Sequence, residues 1–102
     1  PYEVSIIPLD VNDDLVWPVA EKVSAALTER GIEVIVDDRK ERPGVKFADN
    51  DLMGFPYQIV CGKKAVKNGN VELKDRATGV RSEVAIDKVA EKVAQLVLAA
   101  RA

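Results

Sequence analysis

The stretch IEVIVDDRKERPGVKFADNDLMGFPY, residues 32–57, combines a strand signal, a helix signal and a dense charged segment. The run IEVIV (32–36) is apolar and β-branched, which favours a buried strand. KFADNDLM (46–53) predicts a short helix that ends at Gly54, and PYQIVCG (56–62) predicts the next strand. A strand, a helix and a strand in this order are typical of a parallel β-α-β unit with a right-handed crossover.

The sequence upstream predicts one more strand and one more helix. EVSIIPL (3–9) is short and apolar, as expected for a buried strand. DVNDD (10–14) supplies turn residues and an N-cap. Residues 15–30 carry apolar side chains at helical spacing, and Gly31 is a natural stop for that helix.

The sequence downstream predicts a hairpin and a closing helix. VELKDR (71–76) and RSEVAI (81–86) alternate around a short turn, and residues 86–100 carry one apolar stripe. The predicted order of elements is therefore βαβαβββα. We expect a three-layer α/β/α domain with a five-stranded mixed β-sheet, in which the hairpin lies antiparallel at one edge.

The composition narrows the classes of function. A chain of 102 residues that is 47% hydrophobic and 31% charged is typical of one globular domain. No apolar run approaches the roughly 18 residues of a membrane span. The chain has no histidine and a single cysteine, Cys61, which excludes Ser-His-Asp catalysis, histidine-ligated metals and a disulfide within the chain. Its net charge of −2 argues against a general nucleic-acid binder, although residues 61–81 carry six cations against two acids.

The charged segment has three competing interpretations. Asp37 and Asp38 follow a predicted parallel strand, so they could hold Mg²⁺ with Lys63 or Lys64 as counter-cation, but the adjacent Arg39 weakens this interpretation. The second interpretation is a surface ion-pair network that stabilises the loop, and the residue pattern alone favours this one. The third is a guanine-reading site, in which a carboxylate accepts from N1 and N2 while a cation donates to O6 and N7. Such reading suits single-stranded RNA, whose base edges are free.

The segment DDRKERPGVKFADNDLMGFPY, with IIPLDV before it and VELKDRATG after it, resembles the C-terminal anticodon-binding domain of bacterial-type prolyl-tRNA synthetases. These enzymes belong to the class II aminoacyl-tRNA synthetases. The resemblance runs nearly end to end, and its most specific part is Asp-Asp-Arg followed by Arg-Pro-Gly-Val-Lys-Phe. The family often carries a histidine where Ser5 stands and a valine where Cys61 stands. The resemblance implies the same fold and a single domain, residues 1–102, cut from a longer synthetase.

The resemblance also implies a function. Full-length enzymes of this family activate proline with ATP and Mg²⁺ and esterify it to tRNA. This chain has no room for their catalytic motifs, so we expect no catalysis and no cofactor in the domain itself. The expected partners are proline tRNA, whose anticodon contains two guanines, and the catalytic domain of the same polypeptide. We also expect a homodimer of the full-length enzyme, a cytoplasmic location and no membrane partner.

Carried onto this sequence, the resemblance assigns four base contacts and three phosphate contacts. The expected base contacts are Glu33, Asp37, Arg39 and Lys46. The expected phosphate contacts are Lys40, Arg42 and Lys63. Two alternatives remain open: an interaction module that reuses the fold without catalysis, and a small flavodoxin-like or receiver-like protein.

Overall fold

The computed structural model describes residues 2–101, so the expected domain ends at Pro1 and Ala102 lie outside the described residues. No helix in this part of the chain is both long enough and apolar enough to cross a membrane. The elements in chain order are β1 (Val4–Pro8), α1 (Val16–Glu29), β2 (Val34–Val36), α2 (Pro43–Met53), β3 (Tyr57–Cys61), α3 (Lys63–Lys67), β4 (Asn70–Asp75), β5 (Arg81–Ala85) and α4 (Ile86–Arg101).

The strands form one mixed sheet in the order β2-β1-β3-β4-β5. Strand β1 pairs in parallel with β2 and β3, whereas β4 runs antiparallel to β3 and to β5. The predicted five-stranded mixed sheet with a hairpin at one edge is confirmed. In the register, Val4 of β1 lies between Val34 of β2 and Tyr57 of β3. The carboxyl ends of the three parallel strands therefore meet at the same edge of the sheet.

The predicted order of elements, βαβαβββα, is wrong by one element. The short helix α3 lies between β3 and β4, where the sequence predicted none. Its five residues are too few to show a helical period in the sequence. Helix α2 also begins at Pro43, three residues before the predicted start, because the fixed φ of proline suits the first helical turn.

The helices cover both faces of the sheet, as the predicted three-layer architecture requires. Helices α1, α3 and α4 pack together on one face. Helix α2 lies on the other, where Ser5 of β1 and Gln58 of β3 bond to its side chains. The chain runs from β1 outward to β2 and then back past β1 to β3. Because crossovers are right-handed, this reversal of direction places α2 opposite α1.

The two faces differ in polarity. The face under α1, α3 and α4 is apolar, and Leu27 is fully buried in its core. Among residues 2–101, the buried polar side chains are Ser5, Lys46, Asn50 and Gln58, and all four lie between the sheet and α2. The apolar face therefore supplies most of the hydrophobic stabilisation, while the α2 face combines buried apolar side chains such as Ile7 with specific hydrogen bonds.

Replacing Leu27 by Ala should lower the free energy of unfolding by about 2–5 kcal/mol, because it leaves a cavity in the apolar core. Urea denaturation followed by circular dichroism measures this change. Leu52→Ala is the matched control, since Leu52 is 86% exposed, and it should change the stability by less than about 0.5 kcal/mol. Equal effects of the two substitutions would contradict the assignment of the core.

Candidate functional site

The candidate site lies where the parallel strands end. Residues 37–42 connect β2 to α2 at this edge, and the Asp37 N–H donates to the Ile6 carbonyl at 2.9 Å. The sheet therefore fixes where this connection starts. Strand β1 lies between β2 and β3, so the direction of the chain reverses around it. Ligands of open α/β sheets bind at such a switch point.

Asp37 and Arg39 form a bidentate ion pair at this edge. Nε and Nη2 of Arg39 donate to the two carboxylate oxygens of Asp37, each at 2.8 Å. Nη1 of Arg39 donates to Asp49 of α2 at 2.8 Å. The loop-bracing ion-pair network that was one interpretation of the sequence is thus present, and it ties the connection after β2 to α2.

This network shifts the ionisation of both partners. The Arg39 guanidinium, which donates to Asp37, lowers the pKa of that carboxyl to about 2, although burial opposes the shift. The hydrogen bonds to Asp37 and then Asp49 raise the pKa of Arg39 above its ordinary value. The Asp37 side chain is only 8% exposed, whereas that of Arg39 is 42% exposed. The carboxylate is therefore enclosed, while part of the guanidinium faces solvent.

Lys46 of α2 lies beneath this ion pair and is 1% exposed. Its ammonium donates to the carbonyls of Pro8 at 2.8 Å and of Asp37 at 3.1 Å. Burial lowers the pKa of Lys46, and the charge of Asp37 opposes that shift. Since Pro8 ends β1 and Asp37 follows β2, the ammonium holds two adjacent strand ends together.

Asn50, one turn beyond Lys46 on α2, connects Asp37 to the sheet. Its Nδ2 donates to Asp37 at 3.0 Å and to the Lys46 carbonyl at 2.7 Å. Its Oδ1 accepts a hydrogen bond from the Ser5 hydroxyl of β1. The Asp37 carboxylate is thus oriented from two sides, by Arg39 and by Asn50.

A pocket of about 270 Å³ opens beside the ion pair. Gly54, at φ 73°, ends α2 and reverses the chain so that Phe55 joins the lining. The volume is just below the roughly 300–1,000 Å³ of drug-sized ligand sites. The lining residues are Ser5, Ile35, Val36, Asp37, Asp38, Arg39, Asn50, Met53 and Phe55.

The structure brings together three of the four expected base contacts: Asp37, Arg39 and Lys46. Glu33 lies at the other end of β2, where its carbonyl accepts from the Glu3 N–H at 3.0 Å. Four residues of extended chain separate Glu33 from Asp37 by about 13 Å. Lys46, expected to meet a base, is instead enclosed, and its ammonium donates to two backbone carbonyls.

The expected phosphate contacts lie at or near the same edge. Lys40 and Arg42 are exposed in the connection from β2 to α2. Lys63, directly after β3, is 62% exposed, and its ammonium lies 3.7 Å from a carboxylate oxygen of Asp13. All three cations are therefore placed where a polyanion at this edge could meet them.

Three side chains that support or line the site are absent from the contacts predicted from the sequence: Ser5, Asn50 and Met53. Asn50 and Met53 follow Lys46 by four and seven residues and so share its face of α2. This helical spacing is the signal in the sequence that could have found them. Ser5 appears in the sequence only as a departure from the resembled family.

The structure gives the Mg²⁺ interpretation no support at Asp37. Both carboxylate oxygens of Asp37 accept hydrogen bonds from Arg39. In residues 2–101, no cluster of three or more His, Cys, Asp or Glu side chains is arranged to hold a metal ion.

Comparison with known proteins identifies the domain. Residues 3–96 match the family described as "Anticodon binding domain". The chain belongs to this family. A sequence relative is the proline–tRNA ligase of Aquifex aeolicus (strain VF5), which is 54% identical over 97 residues, covering 91% of this chain and 17% of the relative. This anticodon-binding domain thus spans about a sixth of the length of that ligase.

Solved structures confirm the fold predicted for an anticodon-binding domain. The prolyl-tRNA synthetase of Cryptosporidium parvum, complexed with L-proline and AMP, superposes with a TM-score of 0.85 at 22% identity, over 94% of this chain and 20% of that one. The histidyl-tRNA synthetase of Nostoc sp. PCC 7120 gives a TM-score of 0.80 at 27% identity, over 95% and 23%. The α/β fold expected for the anticodon-binding domain is therefore confirmed.

Replacing Lys46 by Met should destabilise the anticodon-binding domain by about 1–2 kcal/mol, measured by urea denaturation. The Pro8 and Asp37 carbonyls would lose a charged hydrogen-bond donor. Part of that loss is offset, because the variant no longer has to bury an ammonium group. Lys40→Met, at an exposed position, is the control and should be close to neutral. Unchanged stability of Lys46→Met would show that the ammonium does not hold the strand ends.

Asp37→Asn should change how stability depends on pH. The pKa of Asp37 is about 2 in the folded domain, below its unfolded value of about 3.9. Its stabilisation is therefore present above about pH 4 and is lost as the pH falls towards 2. Allowing for solvent screening, the variant should lose roughly 1–2 kcal/mol at pH 7 and show a shallower decline between pH 4 and 2.

Urea denaturation at a series of pH values measures this difference, with the exposed Asp14→Asn as control. Parallel pH curves for the wild type and Asp37→Asn would contradict the assigned ion pair.

Proposed function

We propose that this chain is the anticodon-recognition domain of a proline–tRNA ligase, and that it reads guanine in the anticodon of proline tRNA. The observation that carries the proposal is the Arg39 guanidinium, held by Asp37 and Asp49 at the mouth of the pocket and still 42% exposed. Membership of the anticodon-binding family and the similarity to a proline–tRNA ligase support the choice of RNA.

Arg39 is the group that meets a base in this proposal. A guanidinium that donates to O6 and N7 of guanine is the commonest specific contact between a protein and a base. Unpaired anticodon bases present these edges freely. The bidentate bond to Asp37 already fixes the plane of the guanidinium. Binding a base therefore costs less side-chain entropy than it would for a mobile arginine. Ile35 and Met53 give the pocket an apolar surface for the flat face of a base.

The other expected base contacts take different positions in this proposal. Asp37 and Lys46 are enclosed, and they support Arg39 and the strand ends. Glu33, at the far end of β2, takes no part in reading this base. Lys40, Arg42 and Lys63 attract the RNA backbone, which adds affinity without sequence preference.

The longer protein would attach proline to tRNA with ATP and Mg²⁺. A catalytic domain in the same polypeptide would do this chemistry, as part of a homodimer in the cytoplasm. The part proposed for this domain is RNA recognition, without a cofactor of its own.

Arg39→Ala should weaken binding of a proline-tRNA anticodon stem-loop by about 1–3 kcal/mol, because it removes the bidentate donor. For a second stem-loop, with one anticodon guanine replaced by adenine, the same substitution should reduce the affinity much less. Fluorescence anisotropy titrations at two salt concentrations measure both.

Lys63→Ala is the matched electrostatic control. It should weaken both stem-loops alike and flatten the dependence of affinity on salt. If Arg39→Ala also weakened both stem-loops alike, Arg39 would be a backbone contact and the base-reading proposal would fail.

A further inference from the structure

We infer that Asp38, rather than Asp37, is the carboxylate that accepts hydrogen bonds from guanine, and that Asp37 is a positioning residue for Arg39. The inference rests on the proposed function and assigns the acceptor within the same site. It follows from counting which donors and acceptors of the three neighbouring residues 37–39 are already used.

The Asp37 carboxylate has no acceptor capacity left. A carboxylate offers about four lone-pair sites on its two oxygens. Oδ1 accepts from Nε of Arg39 at 2.8 Å and from its backbone N–H at 3.3 Å. Oδ2 accepts from Nη2 of Arg39 at 2.8 Å and from Asn50 at 3.0 Å. A base could therefore bond to Asp37 only by displacing one of these donors from an enclosed side chain.

Arg39, by contrast, keeps free donors. A guanidinium has five N–H groups, and three of them are used by Asp37 and Asp49. One N–H remains on each terminal nitrogen. Both remaining donors belong to one planar group, which can donate to a pair of acceptors such as O6 and N7 of guanine.

Asp38 supplies the acceptor that the site otherwise lacks. It is exposed and lines the same pocket as Arg39. In the described part of the chain, its carboxylate has no ion-pair partner within 4.0 Å. On guanine N1–H lies next to O6 and N2–H lies next to N1, so a base whose O6 and N7 face Arg39 presents a row of donors adjoining O6. A free carboxylate is the acceptor suited to those donors.

The same arrangement rejects adenine. Adenine has an acceptor at N1, which would face the acceptor-only carboxylate of Asp38. It also has an amino group in place of O6, which would face the donors of Arg39. The pair of charged groups therefore discriminates both by attraction to guanine and by mismatch with adenine.

The experiment changes both the anticodon base of the RNA and the carboxylate side chain of the protein. Inosine lacks only the N2 amino group of guanine, so a stem-loop with an anticodon guanine changed to inosine removes one donor aimed at the carboxylate. Wild-type protein should bind the inosine stem-loop about tenfold more weakly. Asp38→Ala should bind the guanine stem-loop about tenfold more weakly and no longer distinguish inosine from guanine.

Asp37→Asn should behave differently, since its effect passes through Arg39. It should weaken the guanine and inosine stem-loops by the same factor and retain the inosine penalty. Thermal unfolding of Asp38→Ala should match the wild type, because the side chain is exposed.

The opposite pattern overturns the inference: an inosine penalty kept by Asp38→Ala and lost in Asp37→Asn would make Asp37 the acceptor. A wild-type protein that binds guanine, inosine and adenine stem-loops equally would overturn the proposed function itself. The two failures are therefore distinguishable.

Discussion

The buried ammonium of Lys46 is the interaction on which the site depends. A lysine head group in the interior is costly unless strong hydrogen bonds replace its water. Here the replacements are the carbonyls of Pro8 and Asp37, at the ends of two adjacent parallel strands. The ammonium thus fixes the position at which the chain leaves β2. This position in turn sets the backbone path of the segment that carries Asp37 and Arg39.

The two faces of the sheet contribute to the domain in different ways. Three helices cover one face and bury the main apolar core, whereas α2 covers the other face, where the buried polar side chains lie. A polar layer of this kind favours one arrangement over alternatives, because each misplaced group would lose its partner. The arrangement leaves Arg39 partly exposed beside a pocket while its counter-ion is enclosed. The proposed base contact is therefore a charged group whose position is set by the sheet.

The sequence predicted the sheet well because strand signals and turn residues are local properties. Helix α3 was not predicted, because its five residues are too few to show a helical spacing of apolar side chains. The predicted start of α2 lies three residues too far along the chain, because Pro43-Gly44 is also typical of a turn. The charged loop was identified from its residues, but which charges face inward was not predictable. Lys46 is buried because two strand ends converge on it, and Glu33 lies about 13 Å from Asp37 because it is at the other end of β2. Both outcomes depend on tertiary contacts that no local pattern encodes.

Whether RNA binds where the parallel strands end can be tested by nuclear magnetic resonance of the ¹⁵N-labelled domain, titrated with the proline-tRNA anticodon stem-loop. The largest shifts should occur at the amides of residues 37–42, at the Arg39 Nε–H and at the Asn50 side-chain amide. The exposed faces of α1 and α4 should stay unchanged. Shifts concentrated on those two helices or around Glu33, with the Arg39 Nε–H signal unmoved, would place the RNA elsewhere and contradict the proposed site.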